Sequence, residues 1–305
     1  MQRYVTAGSS ARYARLKLLG YYAQRIVTSR TLRYAATRAI IATLGAVQGN
    51  AGRARRPQPV PIGAMPADGY LSMGRLLTAQ QCEEILAWLR HRNMIDSRGS
   101  GNTFRLEDVP HGVRVGDYPL ETAINCPHVM ALANRPDVLG MAAAYLGYTP
   151  RITLVGLRWS FPVGTTDADN VQQFHRDIEP ASIKLLVYLT DVDDASGPHS
   201  YVGGTHRDRM PLRLRRYADA DVLRCRSATV VTGQAGTAFA IDTKGIHKGT
   251  PPTDRPRLVL VIQYSLLPLL IYEGERAAYR GPARLDPYIN SLIVDNTRKD
   301  GARLL

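Results

Sequence analysis

The sequence predicts a mainly β fold of the jelly-roll type, with supporting helices and a basic helical N-terminal extension. Three observations predict it. From Arg151 onward, short runs rich in β-branched and apolar residues recur: Arg151–Trp159, Ile183–Leu189, Ala228–Thr232, Thr237–Ile241 and Arg257–Tyr264. Gly, Pro and Asp turns separate them, as a β-sandwich or jelly roll requires. Between Asp68 and Pro150 the apolar spacing is helical instead. Before Asp68 the chain holds eleven Lys and Arg and no acidic residue, so most of the net charge of +13 sits in a leader and the rest is nearly neutral.

The elements follow in order. In the leader, Leu18, Leu19, Tyr22 and Ile26 recur at helical spacing, as do Ile40, Ile41 and Leu44, giving a basic amphipathic extension over 1–52. Arg53-Ala-Arg-Arg-Pro-Gln-Pro-Val-Pro61 is a proline-rich linker, 53–67. A catalytic-sized domain then spans 68–272, with helical support over 68–150 and the β core over 151–267. Thr78 and Gln81 form a capping box ahead of the amphipathic run Cys82–Leu89. Pro136 opens a second helix that Gly147 closes, with Pro150 beyond. The stretch Gly99–Gly116 reads as a loop. Residues 273–305 form a polar tail whose docking patch is Leu292–Val294.

Composition excludes several classes. Three widely separated cysteines, Cys82, Cys126 and Cys225, fit a reducing compartment and neither a disulfide framework nor structural zinc. No apolar run reaches membrane-spanning length; Leu258–Tyr272 contains Gln263 and Pro268 and reads as a core strand plus connector. The expectation is a cytoplasmic protein. The leader adds peripheral membrane contact through residues 1–50, or an organelle transit segment if the source is eukaryotic; a self-packing extension is the plain alternative. Nucleic acid is disfavoured as a partner, because the charge forms no stripe over the body and no aromatic-basic stacking motif occurs.

The chemistry-bearing residues are His175-Arg-Asp177, His247 and Arg257. In extended backbone, Gln173, His175 and Asp177 share one face while Arg176 points the other way. Two neutral imidazoles and a carboxylate on one face of Fe(II) leave three open positions, enough for a bidentate 2-oxo acid and O2. Arg257 opens the apolar run to Tyr264, where an arginine needs an anion partner; its fork suits a carboxylate. A lone H-x-D triplet is a weak signal, and an isolated His175 would read as a hydrogen-bonded core histidine. His199 and His206 compete for the third ligand position. Neither precedes an arginine-led strand, so His247 is preferred.

The chain from about Asp68 to Leu267 resembles the phytanoyl-CoA dioxygenase family. The resemblance rests on Gln173-Phe-His-Arg-Asp177, Lys184-Leu-Leu-Val-Tyr188, Gly197-Pro-His199, Val202-Gly-Gly-Thr-His-Arg207, Gly236–Asp242, Gly245-Ile-His247-Lys-Gly249 and Asp254-Arg-Pro-Arg257. It implies a double-stranded β-helix (cupin-like) core and an Fe(II)/2-oxoglutarate-dependent dioxygenase, a hydroxylase of a small-molecule C–H that releases succinate and CO2. It places His175, Asp177 and His247 on iron and Arg257 on 2-oxoglutarate, with Arg255 as an alternative anchor. Members often carry a hydroxyl residue where this chain has Gly249, and Thr250 is the substitute. On the strand 183–189, Lys184 and Tyr188 face the barrel mouth and are candidate 2-oxoglutarate contacts, opposite the core face Ile183, Leu185, Val187 and Leu189. Gln173 is a candidate pocket residue, Trp159 a core residue, and Asp242 a brace for the turn before His247. Asp177 points to hydroxylation, since related halogenases carry a small residue there; desaturation and ring formation remain open to the same chemistry. A nucleic-acid-directed repair oxygenase and a catalytically silent membrane scaffold are the alternative readings. The sequence names neither substrate nor oligomeric state.

Overall fold

Two antiparallel sheets face each other, and their strand alternation decides which residues enter the space between them. The structure is a computed structural model that describes residues 26–54, 57–162, 173–177, 179, 181–208, 211–212, 215–266 and 275–295. The larger sheet runs β1-β9-β6-β11-β5-β4-β2-β3. Its strands are β1 (Tyr70–Arg75), β2 (Met94–Asp96), β3 (Thr103–Phe104), β4 (Val115–Asp117), β5 (Arg151–Ser160), β6 (Ser182–Tyr188), β9 (Thr237–Ile241) and β11 (Arg257–Ser265). The smaller sheet, β10-β7-β8, is made of three-residue strands: β7 (His199–Tyr201), β8 (Thr229–Val231) and β10 (His247–Gly249). The predicted mainly β architecture stands.

Each face of the larger sheet has its own core. Ile183, Leu185, Val187 and Leu189 pack outward with Leu258, Leu260 and Ile262 against helices α3 (Ala79–Leu89) and α6 (Pro136–Leu146). The intervening Leu186 and Tyr188 point inward with Phe239, Ile241 and Val259 toward Tyr201 and Val231 of the smaller sheet. Period-two alternation in strands covered on both sides produces this split. Trp159 is buried in the outer core and stacked on Phe161, as the sequence predicts.

The helix signals hold in atomic detail. Thr78 Oγ1 accepts from Gln81 N and the Gln81 side chain accepts from Thr78 N, so the capping box closes both ways. α6 starts with Pro136 at its first position and ends at Gly147, whose φ of 79° is left-handed. Two shorter helices, α4 (Leu120–Asn125) and α5 (Val129–Ala133), lie between them.

Three boundaries differ from expectation. α1 (Arg30–Ala54) is one helix, and 57–67 is docked rather than free: Met65 is fully buried at the start of the short α2 (Met65–Asp68), and Val60 and Ile62 pack on the core. The folded body therefore begins before Asp68, because apolar residues between the prolines of this segment find a groove beside α6. The stretch Gly99–Gly116 contains β3 and the beginning of β4 at the sheet edge. The tail is also built in: Ile289, Ile293 and Val294 are buried, and Ala277 pairs with Val294. The leader's first amphipathic run at 18–25, residues 267–272 of the connector and residues 296–305 of the tail lie outside the described residues.

Candidate metal centre

His175 and His247 meet as a hydrogen-bonded antiparallel pair. His175 N donates to His247 O and His247 N to His175 O, each at 3.0 Å. That bridge sets the imidazole centroids 4.4 Å apart. Two residues along, Asp177 N donates to Thr243 O at 2.8 Å. The carboxylate consequently comes within 3.8 Å of His175 Nε2 and 4.0 Å of His247 Nε2. One ligand atom from each residue lies within 4.8 Å of the others, the arrangement a single divalent ion needs. Residues 171–172, the beginning of the strand expected over 171–177, lie outside the described residues.

The ring nitrogens are sorted by the backbone. Nδ1 of His175 lies 2.8 Å from Gln173 O, and Nδ1 of His247 lies 2.9 Å from Gly245 O. A carbonyl can only accept, so both rings carry Nδ1–H and turn an Nε2 lone pair toward Asp177. Gln173 thus contributes its main-chain oxygen to the centre.

Supporting groups fix the turn ahead of His247. Asp242 Oδ1 accepts from Lys244 N at 2.9 Å, and its Oδ2 accepts from the Tyr145 hydroxyl at 2.7 Å. A Cβ on Gly245 would meet the Tyr201 hydroxyl at 2.1 Å, so only glycine fits there. Arg176 points away from the centre, as predicted, and donates to Thr205 O at 2.5 Å, Lys244 O at 2.8 Å and Asp208 Oδ2 at 2.9 Å. It ties the loop after β7 to the turn that presents His247.

Lys184 Nζ donates to Asp177 Oδ2 at 2.7 Å. Burial alone would raise the Asp177 pKa, yet Lys184, and then His247 and His175, hold it well below the usual carboxylate range. Burial would lower the Lys184 pKa, and Asp177 with Glu179 keeps it above the ordinary lysine value. The partner of Lys184 is therefore a metal-ligand candidate. Burial, with His175 second, brings His247 down to about 3, so it is neutral and ready to ligate at neutral pH.

The same shifts give a stability prediction for the metal-free protein. His247 and His199 both have folded-state pKa values below the ordinary histidine value of 6.5. The unfolded chain therefore binds more protons than the folded one below pH 6.5, so stability is full above that pH and declines as pH falls toward about 3. The expected slope is about 1.4 kcal/mol per pH unit for each histidine. Urea midpoints measured at pH 7, 6 and 5 check it; a midpoint that does not move would contradict it.

Arg257 enters the same interior from the first position of β11, paired in register with Ser160. It is 6% exposed, and burial pulls its pKa down to about 10, which still leaves it charged. Its contacts are weak: Nη1 to Thr250 O and Nη2 to Ser160 Oγ, both at 3.5 Å, with no partner for Nε among the described residues. Among the described residues no carboxylate pairs with it. A buried guanidinium without a counter-ion is costly, so the site is built for an anion.

Three sequence expectations change. Arg255 is not near the centre; it lies on the surface in an ion pair with Asp193, because one residue of slip along an extended chain reverses the side-chain direction and two residues carry it past the sheet edge. Tyr188 does face inward, but its hydroxyl is committed, donating to Val231 O at 2.8 Å and accepting from His199 N at 2.9 Å. Thr250 meets Arg257 through its carbonyl oxygen rather than its hydroxyl. Of the rival ligands, His206 lies 3.2 Å from Pro66 O, outside the cluster. His199 stacks 5.7 Å from His247 without joining the ligand set. Sequence reasoning weighed His199 only as a ligand, and the pairing of three-residue strands that places it here leaves no periodic signal.

Known proteins share this architecture. The epimerase SnoN, solved in complex with Fe3+, alpha ketoglutarate and nogalamycin RO, matches with 22% identity and a TM-score of 0.51, over 66% of this chain and 80% of its own. EctD from S. alaskensis with bound Fe matches with 15% identity and a TM-score of 0.51, over 78% of this chain and 88% of its own. At these identities the likeness is one of fold. A comparison with curated proteins finds no match. The family model described as phytanoyl-CoA dioxygenase (PhyH) matches residues 65–259, a span that takes in His175, Asp177, His247 and Arg257 together with the smaller sheet and all of the larger one up to the start of β11, and the chain therefore belongs to the phytanoyl-CoA dioxygenase family.

Proposed function

We propose that the chain is an Fe(II)- and 2-oxoglutarate-dependent dioxygenase that hydroxylates a C–H bond of a small molecule. The observation that carries this is the pairing, in one barrel interior, of a two-histidine, one-carboxylate cluster with a buried arginine that has no carboxylate partner among the described residues. The donor set fits Fe(II): two imidazole Nε2 atoms of fixed tautomer and one carboxylate leave adjacent positions open. When bound, the iron with 2-oxoglutarate and O2 supplies the oxidising chemistry, releasing succinate and CO2.

The chain's own residues do the rest. His175, Asp177 and His247 would hold the metal. Lys184 keeps Asp177 ionised and fixes one of its oxygens. Arg257 would clamp the distal carboxylate of 2-oxoglutarate, setting the direction from which the 2-oxo acid approaches the metal. Phe239, Val259 and Leu186 exclude water from the interior. A carboxylate at 177 fills the position a halide would need, which favours hydroxylation over halogenation.

Incubation with Fe(II), 2-oxoglutarate and O2 is expected to yield succinate, and a substrate from a small-molecule screen is expected to gain one oxygen atom by mass. Loss of two hydrogens would indicate desaturation or ring closure, and an unchanged mass with inverted stereochemistry would indicate epimerisation. No succinate from folded, iron-loaded protein would overturn the reading.

A second proposal concerns partners. Among the described residues, Ile26, Val27, Leu32, Tyr34 and Val47 are large exposed apolar side chains on or beside α1. They lie among Arg30, Arg33 and Arg38 with no acidic residue, which supports peripheral contact with an anionic membrane surface. No helix among the described residues is long and apolar enough to cross a membrane. Co-sedimentation with phosphatidylserine vesicles, absent with phosphatidylcholine and weakened by Leu32→Glu with Tyr34→Glu, is the expected result. Equal recovery with both lipids, or none, would contradict it.

A further inference from the structure

His199 occupies a place in the interior that neither the ligand set nor Arg257 explains. It is the first residue of β7, and in the antiparallel pairing of β7 with β10 it lies directly opposite Gly249. Gly249 has no side chain, and an added Cβ there would stand 3.3 Å from Arg257 Nη2. The imidazole across the strand pair and the guanidinium therefore border the same small space.

The backbone and the ring both have close neighbours. Its backbone N–H donates to the Tyr188 hydroxyl at 2.9 Å, and that hydroxyl in turn donates to Val231 O. One neighbour of the ring is Phe239, centroid to centroid 5.5 Å; another is His247, at 5.7 Å and nearly parallel. His199 is 8% exposed, and its Nε2 has no hydrogen-bond partner among the described residues. A buried imidazole nitrogen left unsatisfied costs stability unless a ligand pairs with it, and in the Nε2–H tautomer the ring can donate to an oxygen.

We propose that His199 is a cosubstrate-positioning residue, whose Nε2–H donates a hydrogen bond to the distal carboxylate of the 2-oxo diacid clamped by Arg257. The assignment rests on the oxygenase reading above. Arg257 supplies the charge, and His199, fixed by Tyr188 and Phe239, supplies the direction. With glycine at 249, no side chain of β10 stands between the imidazole and that carboxylate. A bare guanidinium tolerates an anion over a range of angles; a second donor from the opposite sheet selects one. The residue is thus a determinant of which 2-oxo acids the site accepts, favouring a diacid over a monoacid.

The test is an anaerobic titration of Fe(II)-loaded protein with 2-oxoglutarate and, separately, with pyruvate, which lacks the distal carboxylate. The readout is the visible metal-to-ligand charge-transfer band. His199→Phe, which keeps the packing against Phe239 and His247, is expected to weaken 2-oxoglutarate binding roughly 10- to 100-fold and leave pyruvate binding unchanged. His199→Gln, which restores a donor, is expected to recover part of the loss. Unchanged pyruvate binding also shows that the variant is folded and loads iron. Wild-type affinity for 2-oxoglutarate in His199→Phe would overturn the assignment while leaving the oxygenase reading intact. So would an equal loss for both acids, which would place the effect on the metal through His247. No band with either acid in the wild type would overturn the oxygenase reading itself, and this assignment with it.

Discussion

Replacing His175 or His247 with alanine is expected to lower Fe(II) affinity by roughly a thousandfold or more and to abolish succinate formation. Removing even a partner that merely orients a metal ligand costs about 10- to 100-fold, and deleting the ligand itself costs more. The two replacements differ in a further way. The His175–His247 bridge is made by backbone atoms, so the strand pairing survives either change. His247 is the more buried, with 4% of its surface exposed, so its alanine variant also leaves a cavity at the back of the centre. Asp177→Ala removes the third ligand and strands the buried Lys184 ammonium without its main partner, so it should destabilise the protein as well. Equilibrium dialysis against Fe(II), with urea unfolding alongside, separates the two effects. Iron binding in His175→Ala equal to that of the wild type would exclude this centre as the metal site.

Arg257→Ala is expected to raise the dissociation constant for 2-oxoglutarate by roughly 100-fold or more, with Fe(II) affinity unchanged. Charge-assisted hydrogen bonds to a buried carboxylate are worth about 1.5–3 kcal/mol each, and the guanidinium can make two. The same change should stabilise the free protein or leave it unaffected, because it removes a buried cation that no carboxylate among the described residues neutralises. That combination, weaker cosubstrate binding without lost stability, distinguishes a binding residue from a structural one. Arg257→Lys should recover only part of the affinity, since an ammonium cannot reproduce the planar fork. Isothermal titration with 2-oxoglutarate under nitrogen reads both. Loss of stability in Arg257→Ala with cosubstrate affinity intact would mark Arg257 as a packing residue.

Much of the site is legible in the sequence because its geometry is local. The period of two along β6 separates Lys184 and Tyr188 from Ile183 and Leu185, and the two faces fall where that period puts them. The Thr78 box and the Pro136-to-Gly147 helix are read from residues within one turn of each end. His175 Nε2 and the Asp177 carboxylate come within 3.8 Å because the two residues are two apart in extended backbone. What escapes the sequence is pairing between distant short segments. β7, β8 and β10 have three residues each, too few for a period, and their register alone sets His199 opposite Gly249 and beside His247. The Lys184–Asp177 ion pair likewise joins a strand to an irregular segment. Arg255, two residues before Arg257, lies on the surface with Asp193. The segment 57–67 reads as a linker by composition, yet its few apolar residues are the ones that dock.

We propose that His175, Asp177 and His247 hold iron while Arg257 receives the far end of a 2-oxo diacid. Anaerobic titration of the iron-loaded protein with 2-oxoglutarate tests it most directly, with His175→Ala and Arg257→Ala in parallel. A visible charge-transfer band in the wild type, absent in His175→Ala and requiring far more 2-oxoglutarate in Arg257→Ala, is the predicted result. A folded wild-type protein that binds iron yet shows no band at any 2-oxoglutarate concentration would contradict it.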